Sequence, residues 1–228
     1  MIEPARICII VPAYNEATVV LPLLGSLINA GYQVVFVDDG STDNTQSLVS
    51  DLAIHYLKHK INLGQGAALQ SGMQYATQLE ADYFVHFDAD GQHDLSEIPR
   101  LIEPLATGDA DISLGSRFLG TDTKVPFAKR ILLKAAILVN AVFTGMWLSD
   151  AHNGFRAMNK LALTQIQLHE SGMAHATEIL SEIKRNRLRY KEVSVKISYS
   201  QYAREKGQSI WNAFNILSDL IIRKIFPL

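Results

Sequence analysis

Asp88 and Asp90 stand one residue apart at the end of the apolar run Tyr83–Phe87. Carboxylates in that spacing can share a divalent cation, directly or through water. Mg2+ or Mn2+ takes one or two carboxylates and fills the rest of its shell with water and phosphate oxygens. A second acidic pair, Asp38-Asp39, follows the apolar run Gln33–Val37 and leads into Gly40-Ser41-Thr42-Asp43. That segment permits a tight turn and a capped helix start, with one acid free for a base or ribose. A D-x-D by itself is equally an ordinary turn. Acids at the ends of two buried strands are what a turn does not explain. His93 either ligates metal through a neutral imidazole or decorates a loop, and the loop is the simpler reading. The glycines of Asn62-Leu63-Gly64-Gln65-Gly66-Ala67 allow close backbone approach to a ligand. This segment lacks the third glycine of a dinucleotide fingerprint and follows a third strand, which excludes that reading.

These residues need elements to hold them. Short apolar runs at Arg6–Val11, Gln33–Val37, Ile54–Lys58, Tyr83–Phe87 and Ala110–Leu114 read as strands. Helical patterns alternate with them at Val19–Ala30, from Ser41-Thr42-Asp43 to about Ala53, at Gln65–Leu79 and at Ile98–Leu105. Asp94-Leu95-Ser96-Glu97 has capping-box spacing before the last of these. Strand–helix alternation with continuously apolar strands predicts an α/β fold, a mainly parallel central sheet flanked by helices. In such sheets ligands bind at the carboxyl ends of the strands, near a switch in strand order. Tyr14-Asn15-Glu16, the 38–41 turn and the 88–91 turn then share one edge. Beyond it the sequence predicts a helix over Phe127–Leu148, a short strand at Phe155–Met158 and a helix at Thr177–Arg185. A strand at Lys191–Tyr199, a loop at Ser200–Gln208 and a last helix at Ile210–Phe226 complete the chain.

At 228 residues, 48% hydrophobic and 19% charged, the chain suits one globular domain spanning 1–228. A ligand-binding half over 1–118 and a second half over 119–228 are separated by charge. Residues 1–111 hold 15 acids and 4 bases, whereas residues 112–228 hold 8 acids and 17 bases. An acidic half suits a cation; a basic half attracts phosphates or an anionic membrane surface. No nucleic-acid partner is expected. The single cysteine, Cys8, lies in an apolar run and reads as a core thiol, consistent with a cytoplasmic chain without a signal peptide. Ile131–Leu148 is interrupted by Lys134 and Asn140 and reads as an interfacial or core helix. The last helix, with Trp211, Phe214, Leu217 and Phe226 beside Arg223 and Lys224, either lies in a membrane interface or packs on the core.

The motifs Val11-Pro12-Ala13-Tyr14-Asn15-Glu16, Val37-Asp38-Asp39-Gly40-Ser41-Thr42-Asp43, Asn62-x-Gly64-x-Gly66 and Asp88-Ala89-Asp90-Gly91-Gln92-His93 occur in that order. Gly115-Ser116-Arg117-Phe118, Asp150-x-x-Asn153-Gly154-Phe155-Arg156 and Gly207-x-Ser209 follow. Together, over almost the whole chain, they resemble the family 2 glycosyltransferases of GT-A (Rossmann-like) fold. Within that family they are most similar to the branch of dolichol-phosphate mannosyltransferase and bacterial polyprenyl-phosphate glycosyltransferases. The resemblance implies an inverting transfer from a UDP- or GDP-linked sugar. It implies that Pro12, Ala13, Tyr14, Glu16, Asp38, Asp39, Asn62, Gly64, Gly66, Asp88 and Ala89 line the nucleotide-sugar site. Asp88 and Asp90 would bind the metal. Arg117 and Arg204 would contact phosphate, and Arg117, Arg156, Arg204 and Ser209 would line an acceptor site in a helical, membrane-facing second half. Asp150-Ala151-His152-Asn153 departs from the branch, which commonly has a small hydroxyl residue before Gly-Phe-Arg.

Two acceptors stay open. A hydroxyl on a growing glycan needs a carboxylate base, for which Asp150 and Glu178 are candidates. A lipid phosphate, with a second pKa of about 6, is already anionic and needs cations such as Arg204 instead. A non-catalytic nucleotide-sugar-binding scaffold is the reading of another class. A peripheral membrane surface is the expected partner of the lipid-phosphate case, and a separate membrane protein or a homo-oligomer is compatible with the sequence.

Overall fold

The computed structural model describes residues 2–120, 137, 141, 144–150 and 153–198. The apolar runs of the first half become strands β1 (Ile7–Ala13), β2 (Gln33–Asp38), β3 (His55–Lys58), β4 (Tyr83–His86) and β5 (Ile112–Ser116). Two later strands, β6 (Arg156–Asn159) and β7 (Tyr190–Ser194), join them in one sheet of order β3-β2-β1-β4-β6-β5-β7. β1 is parallel to both β2 and β4, β2 to β3, and β5 to β7. β6 alone runs antiparallel, between β4 and β5. The expected α/β architecture with a mainly parallel sheet is what forms.

Every residue of β1 is buried, as a run without polar alternation requires of a central strand covered on both faces. Its side chains alternate between two cores. Cys8 and Ile10 join Val35, Val37 and Phe84 under helices α3 (Gln65–Ala76), α5 (Lys160–Gln165) and α6 (His175–Arg185). Ile9 and Val11 join Val34, Phe36 and Val85 under α1 (Val20–Asn29) and α4 (Ile98–Ala106). A short helix α2 (Thr45–Val49) follows the 38–44 turn. From β1 the chain builds outward through β2 and β3 and then returns to place β4 on β1's other side. The boundary between β1 and β4 is therefore the switch point at which ligands bind in such sheets.

Several boundaries differ from the sequence reading. α2 stops at Val49 and α3 at Ala76, both short of the periodic patterns. The predicted helix at 127–148 falls mostly outside the described residues. Its end is visible: Gly145 adopts φ +67 and donates to the Ala141 carbonyl, so this helical stretch closes there and 145–148 is not helical. The last predicted strand ends at Ser194; beyond it, among the described residues, Ile197 forms an isolated bridge to His93. α5 was not foreseen; Asn159 caps it by accepting from the Ala162 N–H at 2.9 Å. Among the described residues no helix is long and apolar enough to cross a membrane.

Candidate active site

Parallel pairing of β2, β1 and β4 brings the segments after their carboxyl ends together. Pro12 and Ala13 are the buried last residues of β1. Tyr14 follows them half-exposed, and Asn15 turns the chain with φ +54. Asn15 ties this turn to the one after β2: its N–H donates to Ser41 Oγ (3.0 Å) and its Oδ1 accepts from Thr42 N–H (2.9 Å). The Glu16 N–H donates to Thr45 Oγ1 at 3.1 Å, and the Glu16 side chain is buried.

The two acids after β2 divide their work. Asp38 Oδ1 accepts from Ser41 N–H (2.8 Å) and its Oδ2 from the Tyr56 hydroxyl (2.8 Å). Asp39 Oδ1 accepts from His59 Nδ1–H (2.6 Å) and Leu63 N–H (3.0 Å), and its Oδ2 from Gly64 N–H (2.7 Å). His59 Nε2 and Ser71 Oγ, on α3, meet at 2.9 Å. Asp39, expected at the nucleoside, thus has most of its lone pairs on the 59–64 segment. Gly40 is forced by this joint: at φ +74, a Cβ would stand 2.5 Å from the Ile61 carbonyl carbon. Asn62 is exposed, Gly64 has φ +101 and Gly66 is buried at the start of α3.

After β4 the loop carries Asp88, buried Ala89 and Asp90. Gln65 Nε2 donates to Asp88 Oδ1 at 2.8 Å, joining the start of α3 to this loop. Desolvation lifts the Asp88 carboxyl to about 6, against the opposing pull of the Arg156 charge. Asp90 is also raised, first by burial and then by the charge of Asp88. Gln92 bonds back to Asp90 through both its backbone N–H (3.0 Å) and its carboxamide. These are hard oxygen donors held at the cost of solvation, as a site for Mg2+ or Mn2+ requires. Among the described residues no group of three or more His, Cys, Asp or Glu could hold a metal ion. Asp88 and Asp90 fit Mg2+ or Mn2+, which takes one or two carboxylates and fills the rest of its shell with water and phosphate oxygens.

His93 corrects the loop-decoration reading. Its ring is buried, stacked on Phe155 (4.5 Å, 12°) and edge-on to Phe87 (5.2 Å, 88°). Nδ1 accepts from Asp88 N–H at 3.1 Å, which leaves Nε2 facing Asp88 Oδ2 at 3.7 Å. Burial holds its pKa down at about 4, so the ring is a neutral prop for the acidic loop.

Across the β4–β6 seam the charge changes sign. Arg156 pairs in register with His86 and is fully buried, within electrostatic reach of Asp88 and Asp150. Burial lowers its pKa to about 10. Arg117, after β5, donates to Asp150 Oδ2 through its backbone N–H (3.1 Å) and Nε–H (2.6 Å). Asp150 Oδ1, Asn153 Nδ2 and Arg156 Nη1 are buried without hydrogen-bond partners. Buried polar atoms in that state are costly and mark places where water or a ligand completes the network.

Glu178 stands elsewhere: its two oxygens accept from His169 N–H and Glu170 N–H (2.9 Å each), and it bonds to neither acidic pair. Arg204, Ser209 and the predicted 210–226 helix lie outside the described residues. Sequence reasoning missed Gln65, Gln92, His59 and Ser71. Gln65 and Gln92 stood inside the glycine and acidic motifs without a role of their own; His59 and Ser71 carried no signal.

Residues 8–167 match the family model described as Glycosyl transferase family 2. A UDP-N-acetylglucosamine–dolichyl-phosphate N-acetylglucosaminyltransferase of Methanococcus voltae is 30% identical, over 96% of each chain. An undecaprenyl-phosphate mannosyltransferase of Micrococcus luteus is 29% identical, over 90% of this chain and 86% of that one. Among solved structures, glucosyl-3-phosphoglycerate synthase from Mycobacterium tuberculosis, in complex with Mn2+, UDP-glucose and phosphoglyceric acid, superposes with a TM-score of 0.69. It shares 18% identity, over 94% of this chain and 77% of that one, a likeness of fold.

Proposed function

Since the chain belongs to glycosyl transferase family 2, we propose that it moves a sugar from a UDP- or GDP-linked donor to a polyprenyl phosphate at a membrane face, with inversion. The observation that carries this reading is the seam between β4 and β6. Acids lie on its parallel side, at Asp88 and Asp90, and arginines lie across it, at Arg156 and Arg117. Asp88 and Asp90 would hold Mg2+ or Mn2+, which when bound neutralises charge on the departing nucleoside diphosphate. The turns after β1 and β2, from Pro12 to Glu16 and at Asp38-Asp39, would line the nucleoside, with Asn62, Gly64 and Gly66 beside it. Arg117 and Arg156 would meet the anionic acceptor, joined by Arg204 and Ser209.

Relatives named for dolichyl- and undecaprenyl-phosphate acceptors support the lipid-phosphate choice. So does the state of Glu178, whose two oxygens are both occupied by backbone amides. A phosphate acceptor needs no such base. Peripheral membrane association follows from such a substrate.

A donor panel of UDP-glucose, UDP-N-acetylglucosamine and GDP-mannose, with Mg2+ or Mn2+ and a total lipid extract, tests the proposal. The expected product, by mass, is a sugar–phosphate–polyprenol formed only with metal. Transfer to a glycan hydroxyl instead would overturn the acceptor, and donor binding without turnover would leave only a scaffold.

A further inference from the structure

A directed line of hydrogen bonds links the arginine-bearing loop to the last strand of the sheet. The Phe118 N–H donates to Ser116 Oγ (3.2 Å), the Ser116 and Ser149 hydroxyls meet at 2.6 Å, and Ser149 Oγ donates to Glu192 Oε1 (2.6 Å). An ionised carboxylate only accepts, so the Ser149 proton points at Glu192. Ser116 must then donate to Ser149, which leaves its own oxygen for Phe118. The chain has one consistent polarity, and such chains strengthen along their length. The same Glu192 oxygen also accepts from the backbone N–H of Ser149 (2.8 Å) and of Asp150 (3.3 Å). Asp150 passes the constraint on: its Oδ2 holds both the backbone N–H and the Nε–H of Arg117. Both ends of the 116–118 loop are thereby referred to one half-buried carboxylate on β7, opposite Leu114 in register.

We propose that Glu192 is a positioning residue: through Ser149 and Asp150 it orients the Arg117 guanidinium toward an anionic phosphate-monoester acceptor. A glutamate serving only solubility at a sheet edge would not accept three hydrogens from one loop with one oxygen. The inference rests on the reading that Arg117 meets the acceptor phosphate.

Steady-state kinetics with undecaprenyl phosphate and the donor chosen by the panel, together with thermal unfolding, test it in Glu192→Ala, Glu192→Gln, Ser149→Ala and Arg117→Ala. Misplacing a substrate-positioning group by about 1 Å can cost about 100-fold. Glu192→Ala is expected to raise the acceptor KM by about tenfold or more and leave the donor KM unchanged. Glu192→Gln, whose carboxamide oxygen still accepts the same hydrogens, is expected to recover most of the loss. Ser149→Ala keeps the backbone links to Glu192 and is expected to fall between. If Glu192→Ala does not fold, Ser149→Ala decides by the same KM criterion. Donor and acceptor KM rising together, or an unchanged acceptor KM in the folded variants while Arg117→Ala is impaired, would overturn the positioning role alone. An acceptor KM unchanged in Arg117→Ala would overturn the acceptor reading itself.

Discussion

Gly154 lies flush against Asp88: a Cβ on Gly154 would stand 2.5 Å from Asp88 Oδ2 and 3.3 Å from its Cγ. The obstructed atoms belong to the end of a partly exposed side chain, which can turn aside where backbone cannot. Gly154→Ala is therefore expected to leave the fold intact and displace the carboxylate. Changes around metal ligands typically cost about 10- to 100-fold in metal affinity or activity. Calorimetric titration with Mn2+ alone should show weakened binding of that order at a near-native unfolding midpoint. Wild-type Mn2+ affinity in this variant would mean that Asp88 is not a ligand.

Gly66 makes the opposite case. A Cβ there would collide with the Glu170 carbonyl oxygen and stand 2.9 Å from the His175 Cβ. The Gly66 N–H donates to the neighbouring Ser171 carbonyl at 2.7 Å, so the two backbones are pinned together. Neither neighbour is the far end of a flexible side chain. Gly66→Ala should destabilise the protein by about 1–3 kcal/mol, the usual cost of overpacking, in urea unfolding at neutral pH. Stability equal to wild type would show that the α3–170s joint opens readily.

The contrast between these glycines also marks what was legible in the sequence. β1 was readable because a central strand buried on both faces has no polar residue to confuse the pattern. The shared edge of Asp38 and Asp88 followed from parallel pairing alone. The direction of β6 was not readable: four residues, Arg156–Asn159, carry no mark of being antiparallel to both neighbours. α5 is six residues long and depends on one cap from Asn159. The packing of His93 was not readable because the ring it stacks on, Phe155, stands 62 residues later, just before β6. The partners of Glu178 were not readable either, since an acid in a helical pattern says nothing of which amides it will meet. Sequence spacing reports elements and their ends; contacts across the sheet depend on register, which is set only when the strands pair.

His86 ties stability to pH. Both ring nitrogens are buried without hydrogen-bond partners, and burial, reinforced by the charges of Arg156 and His175, holds its pKa near 3. A folded value below the unfolded one near 6.5 means the unfolded state binds the proton first as pH falls. The His86 contribution is thus complete above pH 6.5 and is lost progressively toward pH 3, by up to about 1.4 kcal/mol per pH unit. His86→Leu removes the titrating group and two unsatisfied atoms, so stability at pH 7 should hold or rise. In urea unfolding at pH 7, 5.5 and 4.5, wild type should lose more stability than the variant. Parallel losses would show that His86 does not titrate as its burial requires.

Glu178 separates a structural carboxylate from a chemical one. Its two oxygens each accept one backbone N–H, from His169 and Glu170, at 2.9 Å. These bonds hold the stretch whose Glu170 and Ser171 carbonyls lie against Gly66, one residue from the Gln65 that reaches Asp88. In Glu178→Gln one acceptor remains, but the new NH2 group must face the other N–H. Two opposed donors leave a hydrogen bond unmade, at about 1–3 kcal/mol. The expected result is a lowered unfolding midpoint with the pH dependence of kcat unchanged. A general base would behave the other way, with kcat collapsing while the midpoint stayed, because a carboxamide cannot take the acceptor's proton. That second pattern would restore the hydroxyl-acceptor reading, since only a hydroxyl has a proton that must be removed.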